Sequence, residues 1–180
     1  MTRARMDQII LVDEQDREIG VEEKIAGHRN GGRLHRAFSV FLFNARGEML
    51  LQQRSDRKYH FRGKWTNACC GHPRPGEELA GAAHRRLHEE LGFDTDLREV
   101  FSFVYCAEDP DSGLTEREFD HVLIGKFDGV ARPDPEEVSA LRWMQRADLE
   151  RDVAARPEQY SVWFREAFAR LSSSGAYPPS

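Results

Sequence analysis

The stretch Glu77–Leu91 constrains the fold more than any other part of the chain. Its apolar residues Leu79, Ala83, Leu87 and Leu91 return every four positions, which places them on one face of an α-helix, and Gly92 follows as a residue type that ends helices. A helix with one apolar stripe has to bury it against another layer. Short apolar runs of strand length supply that layer at Gln8–Val12, Ala37–Phe43, Met49–Gln53, Val100–Cys106, His121–Phe127 and Leu141–Met144. Asn44-Ala45-Arg46-Gly47, between the second and third runs, has the residues of a hairpin turn. Two further helices are expected, over Asp148–Ala155 and from about Pro157 to Leu171, the latter with Phe164, Phe168 and Leu171 on one face. The pattern predicts an α+β fold, an α/β/α sandwich with strands at the centre and helices outside.

A chain of 180 residues with 39% hydrophobic content buries one core and is too short to divide into two, so residues 1–171 are expected to form a single domain. The tail over residues 172–180 is small, polar and proline-rich, and is expected to be disordered. The net charge of -5 comes from 31 acidic and 26 basic residues spread along the chain, with no basic stripe of the kind that binds nucleic acid. An anionic ligand must therefore be met by a local cluster of cations. Ile9–Val12 is far too short to span a membrane. The expectation is a cytoplasmic protein, a monomer or weak dimer, with neither nucleic acid nor membrane as partner. Cys69 and Cys70 are adjacent and Cys106 is distant, a poor disulfide framework that leaves a thiol for chemistry.

Gly71 to Phe93 reads GHPRPGEELAGAAHRRLHEELGF and matches the Nudix pattern G-x5-E-x7-R-E-U-x-E-E-x-G-U at every fixed position except Arg86, where the pattern has Glu. A single glutamate on this helix would read as part of a solvated face. The whole pattern reads otherwise: a loop delivers Glu77 to the helix start, while Glu89 and Glu90 sit near its end, so that carboxylates gather around hard divalent cations such as Mg2+. A cation at position 86 weakens a hydrolytic reading, because hydrolases of this type use that region to collect water-activating metals. A guanidinium there suits a diphosphate oxygen instead.

Segments beyond the box resemble the type I isopentenyl diphosphate isomerases of the Nudix superfamily, over roughly Gln8–Leu171. They are Glu23-Lys24 followed by His28 and by Arg33-Leu34-His35-Arg36-Ala37-Phe38-Ser39; Gly63-Lys64-Trp65-Thr66-Asn67-Ala68-Cys69-Cys70-Gly71-His72-Pro73; and Thr115-Glu116-Arg117-Glu118. The resemblance implies a Nudix fold with a mixed central sheet flanked by helices. It also implies a metal held by His28, His35, His72, Glu116 and Glu118, a donor set that suits Mn2+, Zn2+ or Fe2+. Lys24, Arg54, Lys58 and Arg86 would meet the diphosphate of a small-molecule substrate, and Glu90 would help hold Mg2+ arriving with it. His60, His84, His88 and His121 match no ligand position and read as solvated residues. The chain departs from the family at Arg62, where proline or a small residue is expected, and in the second thiol, Cys69.

Moving the double bond of isopentenyl diphosphate to give dimethylallyl diphosphate requires protonation of an unactivated alkene and removal of a proton elsewhere. Between those steps lies a tertiary carbocation, so the reaction needs an acid, a base, a dry site and something electron-rich. By the resemblance, Cys70 and Glu118 form the proton-transfer pair, Tyr105 assists Glu118, and Trp163 offers a ring face to the cation. Trp163 also reads as a packing residue beside Phe164. The alternatives are a Nudix hydrolase of an organic or nucleoside diphosphate, which has no need of Cys70 or the histidines, and a silent binding module, which would be expected to lose metal carboxylates.

Overall fold

The computed structural model describes residues 8–58 and 60–177. Its strands are β1 (Gln8–Val12), β2 (Glu18–Glu23), β3 (His35–Phe43), β4 (Met49–Arg54), β5 (Trp65–Thr66), β6 (Cys69–Gly71), β7 (Leu97–Glu108), β8 (Thr115–Lys126) and β9 (Val138–Met144). The helices are α1 (Lys24–Gly27), α2 (Leu79–Leu91), α3 (Arg146–Ala155) and α4 (Val162–Ser173).

The nine strands among the described residues belong to one mixed sheet organised around β3. Along one edge β3 pairs in parallel with β8, His35 through Phe43 against Glu118 through Lys126, and β7 continues antiparallel on β8. Its other edge is shared in turn by β1, β6 and β4, and β4 carries β9 and β5. Such division of one edge curls the sheet. The side chains of β3 alternate between layers: Phe38, Val40 and Leu42 pack with Ala82, Ala83, Leu87 and Leu91 of α2, while Phe41 and Phe43 pack with Phe164, Phe168 and Leu171 of α4. Each phenylalanine so buried is worth roughly 1.5–3 kcal/mol. The α/β/α arrangement is thus the one expected from the apolar patterning. At the end of α2, Gly92 adopts φ 73, and a side chain there would also meet the Arg132 carbonyl at 2.9 Å.

Several boundaries differ from expectation. The helix expected from Pro157 is broken: Pro157–Gln159 forms one 3-10 turn, and α4 starts only at Val162. Ser161 between them is tied to β5, its N–H donating to Trp65 O at 2.9 Å and its hydroxyl to Thr66 Oγ1 at 2.9 Å. These bonds stop one helix from running through. Strands β2, β5 and β6 were not expected; β2 is charged and on the sheet edge, and the other two are too short to show a period. The disorder expected from Ser172 does not hold over residues 172–177. Ser172 and Ser173 complete α4, Arg146 donates to Ser172 O at 3.0 Å, and the Tyr177 ring packs edge-on to Phe43 at 4.9 Å. Residues 178–180 lie outside the described residues. Among the described residues no helix is long and apolar enough to cross a membrane.

Candidate active site and metal centre

Alternation along β8 puts Glu116, Glu118 and Asp120 on one buried face. Glu118 is in register with His35 on β3 and with Tyr105 on β7, so three adjacent strands set these side chains in a row. Tyr105 Oη donates to Glu118 Oε2 at 2.6 Å, and His35 Nε2 lies 3.5 Å from Glu118 Oε1. His28 follows the single turn of α1, whose start is capped by Glu23 accepting from Ile25 N and Ala26 N. The His28 carbonyl then accepts from Thr115 N at 2.8 Å, docking that turn on the start of β8. His72 follows β6 directly.

Five groups converge here: one ligand atom from each of His28, His35, His72, Glu116 and Glu118 lies within 4.8 Å of all the others. The Nδ1 atoms of His28 and His35 face the carbonyls of Lys24 (2.5 Å) and Arg33 (2.7 Å). Each therefore carries its proton on Nδ1 and turns the Nε2 lone pair inward. There His28 Nε2 meets Glu116 Oε2 at 2.8 Å, His72 Nε2 meets Glu118 Oε1 at 2.8 Å, and the Nε2 atoms of His35 and His72 are 3.1 Å apart. Lone pairs and anionic oxygens aimed at one point fit a divalent cation. Burial holds His72 neutral, its pKa down at about 3 against the pull of Glu118. Burial also favours protonation of Glu116, but His28 and His60 outweigh it and hold the carboxyl well below its ordinary range. For Glu118, burial and the neighbouring Glu116 charge push up, and His35 with His72 prevail downward.

His60 corrects the sequence reading. It is only 6% exposed, and its Nε2 is in contact with Glu116 Oε1. His84 pairs with Asp94 and His88 is exposed, whereas His121, read as solvated, is mostly buried between Glu99 and Asp16.

A cavity of about 610 Å3 opens beside the cluster, walled by Cys70, Tyr105, Glu118 and Trp163. On β6, Cys70 is in register with Ser39 and Cys69 with Val40, so the adjacent thiols point to opposite faces. Cys69 is fully buried in the layer under α2, whereas Cys70 borders the cavity. Burial raises the Cys70 thiol to about 12, with Arg54 opposing. It remains protonated at neutral pH. Trp163 is both packed and exposed to the cavity: the Phe61 ring meets it edge-on at 5.1 Å, and the Arg54 guanidinium sits 5.2 Å from its ring centroid.

The same cavity carries a cluster of cations on its wall, Lys24, Arg54, Lys58 and Arg86. Arg86 crosses β6 at Gly71, where a Cβ would meet Arg86 Cγ and Phe38 Cζ, each at 3.2 Å. Its guanidinium binds Glu89 at 2.8 Å, Glu90, and Glu137 at 3.3 Å. Glu137 also pairs with Lys58. Arg54 is braced by the carbonyls of Phe61 and His60, both at 3.1 Å. Glu90 is buried under Arg86 and accepts from Gln52 Nε2 at 3.0 Å. Glu77 stands apart, bound to Arg85 and to Arg74 N. Sequence reasoning missed His60 and Glu137. His60 had one signal, its place in the loop that carries Lys58.

Residues 33–164 match the NUDIX domain family. An isopentenyl-diphosphate Delta-isomerase from Halorhodospira halophila is 50% identical over 161 residues, covering 89% of this chain and 92% of that protein. One from Serratia proteamaculans is 45% identical, covering 93% of this chain and 99% of that protein. The crystal structure of DR0079 from Deinococcus radiodurans superposes with a TM-score of 0.75 at 23% identity, covering 91% of this chain and 98% of that one, a likeness of fold. The sheet, the box on α2 and these identities together place the chain in the Nudix family and, within it, among the isopentenyl-diphosphate Delta-isomerases.

Proposed function

We propose that this protein interconverts isopentenyl and dimethylallyl diphosphates, with Cys70 and Glu118 transferring the protons at the two ends of the allylic unit. The observation that carries the reading is the meeting of these two groups on one cavity whose wall also holds Lys24, Arg54, Lys58 and Arg86. A diphosphate held by those cations lays its five-carbon chain toward Cys70 and Glu118. In either direction one group gives a proton while the other takes one, so the pair begins and ends each turnover with a single proton between them. The Cys70 thiol and the Glu118 carboxylate are such a pair. Tyr105 holds Glu118 Oε2 and supports its part in the transfer. Trp163 presents an electron-rich ring to the tertiary cation and, with Phe61, excludes water from it.

His28, His35, His72, Glu116 and Glu118 would hold Mn2+ or Zn2+, and Glu90 would hold Mg2+ entering with the diphosphate. Bound there, the ions supply positive charge that tunes Glu118 and neutralises the diphosphate. Arg86 serves the diphosphate. The reading takes the protein as a cytoplasmic monomer or weak dimer acting on a free small molecule. Incubation with isopentenyl diphosphate and Mg2+ in deuterated water tests it. Dimethylallyl diphosphate carrying solvent deuterium is expected, and release of phosphate without an allylic product would replace the isomerase with a hydrolase.

A further inference from the structure

We propose that His60 is a positioning residue of the metal centre, its Nε2–H holding Glu116 Oε1 so that Oε2 stays turned toward the three imidazoles. The inference rests on the metal-centre reading above and adds a residue to it. Glu116 is gripped from both ends: Oε2 meets His28 Nε2 at 2.8 Å and Oε1 meets His60 Nε2. His28 directs its proton to the Lys24 carbonyl and would share a cation with Oε2, whereas His60 lies outside the ligand group and can meet the accepting Oε1 only as an Nε2–H donor. His60 lies outside the group of five converging ligand atoms, which marks it as a support and not a ligand.

The loop that carries His60 is built to deliver it. The Arg54 guanidinium binds the carbonyls of His60 and Phe61, Asp109 Oδ2 accepts Phe61 N at 3.2 Å, and Gly63 N donates to Arg54 O at 3.1 Å. Phe61 takes φ 47, a left-handed backbone that a bulky residue rarely adopts. That turn sends two neighbouring side chains inward, Phe61 onto Trp163 and His60 onto Glu116. The chemistry suits the task. Two carboxylates balance the charge of a divalent cation, and an imidazole N–H on Oε1 orients Glu116 without the fixed positive charge that Lys or Arg would bring. Rotation of the carboxylate is thereby restricted while one oxygen is reserved for the metal.

The test measures Zn2+ affinity by chelator competition, with X-ray absorption of the zinc-loaded protein to count imidazole ligands. His60→Gln keeps an N–H donor and His60→Ala removes it; thermal melts of the chelated proteins report folding. Expected are a roughly 10–100-fold loss of affinity in His60→Ala, substantial recovery in His60→Gln, and an unchanged imidazole count in both. Wild-type affinity in His60→Ala overturns the proposal, as does a His60→Gln no better than Ala though folded. A count lower by one imidazole overturns it in another way, by making His60 a ligand. If His60→Ala does not fold, His60→Gln decides alone, with near-wild-type affinity and an unchanged count required. His72→Ala separates the underlying reading: zinc binding unaffected by its loss removes the metal centre itself, and the role of His60 with it.

Discussion

Cys69 and Cys70 invite a crossed experiment, because β6 sends one thiol into the layer under α2 and the other to the cavity. In Cys70→Ala the missing group is a thiol that stays protonated at neutral pH, its pKa raised by burial to about 12. A positioned acid or base is worth roughly 100- to 10,000-fold in rate. Solvent water is too weak an acid to protonate an unactivated alkene in place of the thiol, so the upper part of that range applies. A loss of about 1,000- to 10,000-fold in kcat corresponds to about 4–5.5 kcal/mol in the transition state. The cations on the cavity wall are untouched, so KM is expected to stay within about twofold. Cys69→Ala has the opposite signature. Removing a fully buried sulfur costs roughly 1 kcal/mol, or about 2–4 °C in Tm for a chain of this size, with kcat unchanged. Steady-state kinetics and thermal melts of the two variants provide the four numbers. A Cys70→Ala enzyme within tenfold of wild-type turnover, or an inactive Cys69→Ala with unaltered Tm, would refute the division of faces and roles.

Arg86→Glu places a fourth carboxylate among Glu89, Glu90 and Glu137, and KM for the diphosphate is expected to rise on the order of 100-fold; unchanged affinity would reduce Arg86 to a helix-surface charge. Elemental analysis of purified His72→Ala should find the transition-metal load well below that of wild type, and a full load would count against the ligand assignment. Asp120 yields a pH prediction. Burial and the Glu118 charge raise its carboxyl well above 3.8, while Oδ2 accepts from Ser39 and Oδ1 has no hydrogen-bond partner among the described residues. The folded state thus binds a proton that the unfolded state releases, and the stability it contributes is full below pH 3.8 and lost as pH rises through the folded value. Asp120→Asn stays neutral throughout, so in chelator-treated protein its Tm relative to wild type should climb with pH; a difference independent of pH would show that Asp120 carries no such proton.

What was legible in the sequence follows from the range of the interactions involved. The helix α2, its glycine stop and the alternating strands rest on local periodicity, and they emerge nearly where expected. The strands were read too short wherever polar site residues interrupt the apolar run: β8 begins at Thr115 because Glu116, Glu118 and Asp120 take inward positions that patterning reserves for apolar side chains. The halt at Ser161 depends on its bonds to β5, which no local signal announces.

The same distinction separates the site residues. His28, His35 and His72 stand in segments whose neighbours constrain them: a capped turn, the head of β3 and the end of β6. His60 stands in a loop whose shape is imposed from outside, by the Arg54 guanidinium, the Asp109 carboxylate and a left-handed Phe61. A glycine at position 61 would have advertised the turn; a phenylalanine hides it, because its ring is wanted against Trp163. Glu137 is similarly obscured, since its carboxylate acquires meaning only when β9 pairs with β4 and brings it between Lys58 and Arg86. Candidate ligands and partners that fall on motif positions, Tyr105 on β7 among them, are readable from the sequence, whereas His60 and Glu137 lie in connections, where the fold and not the local sequence decides what they touch.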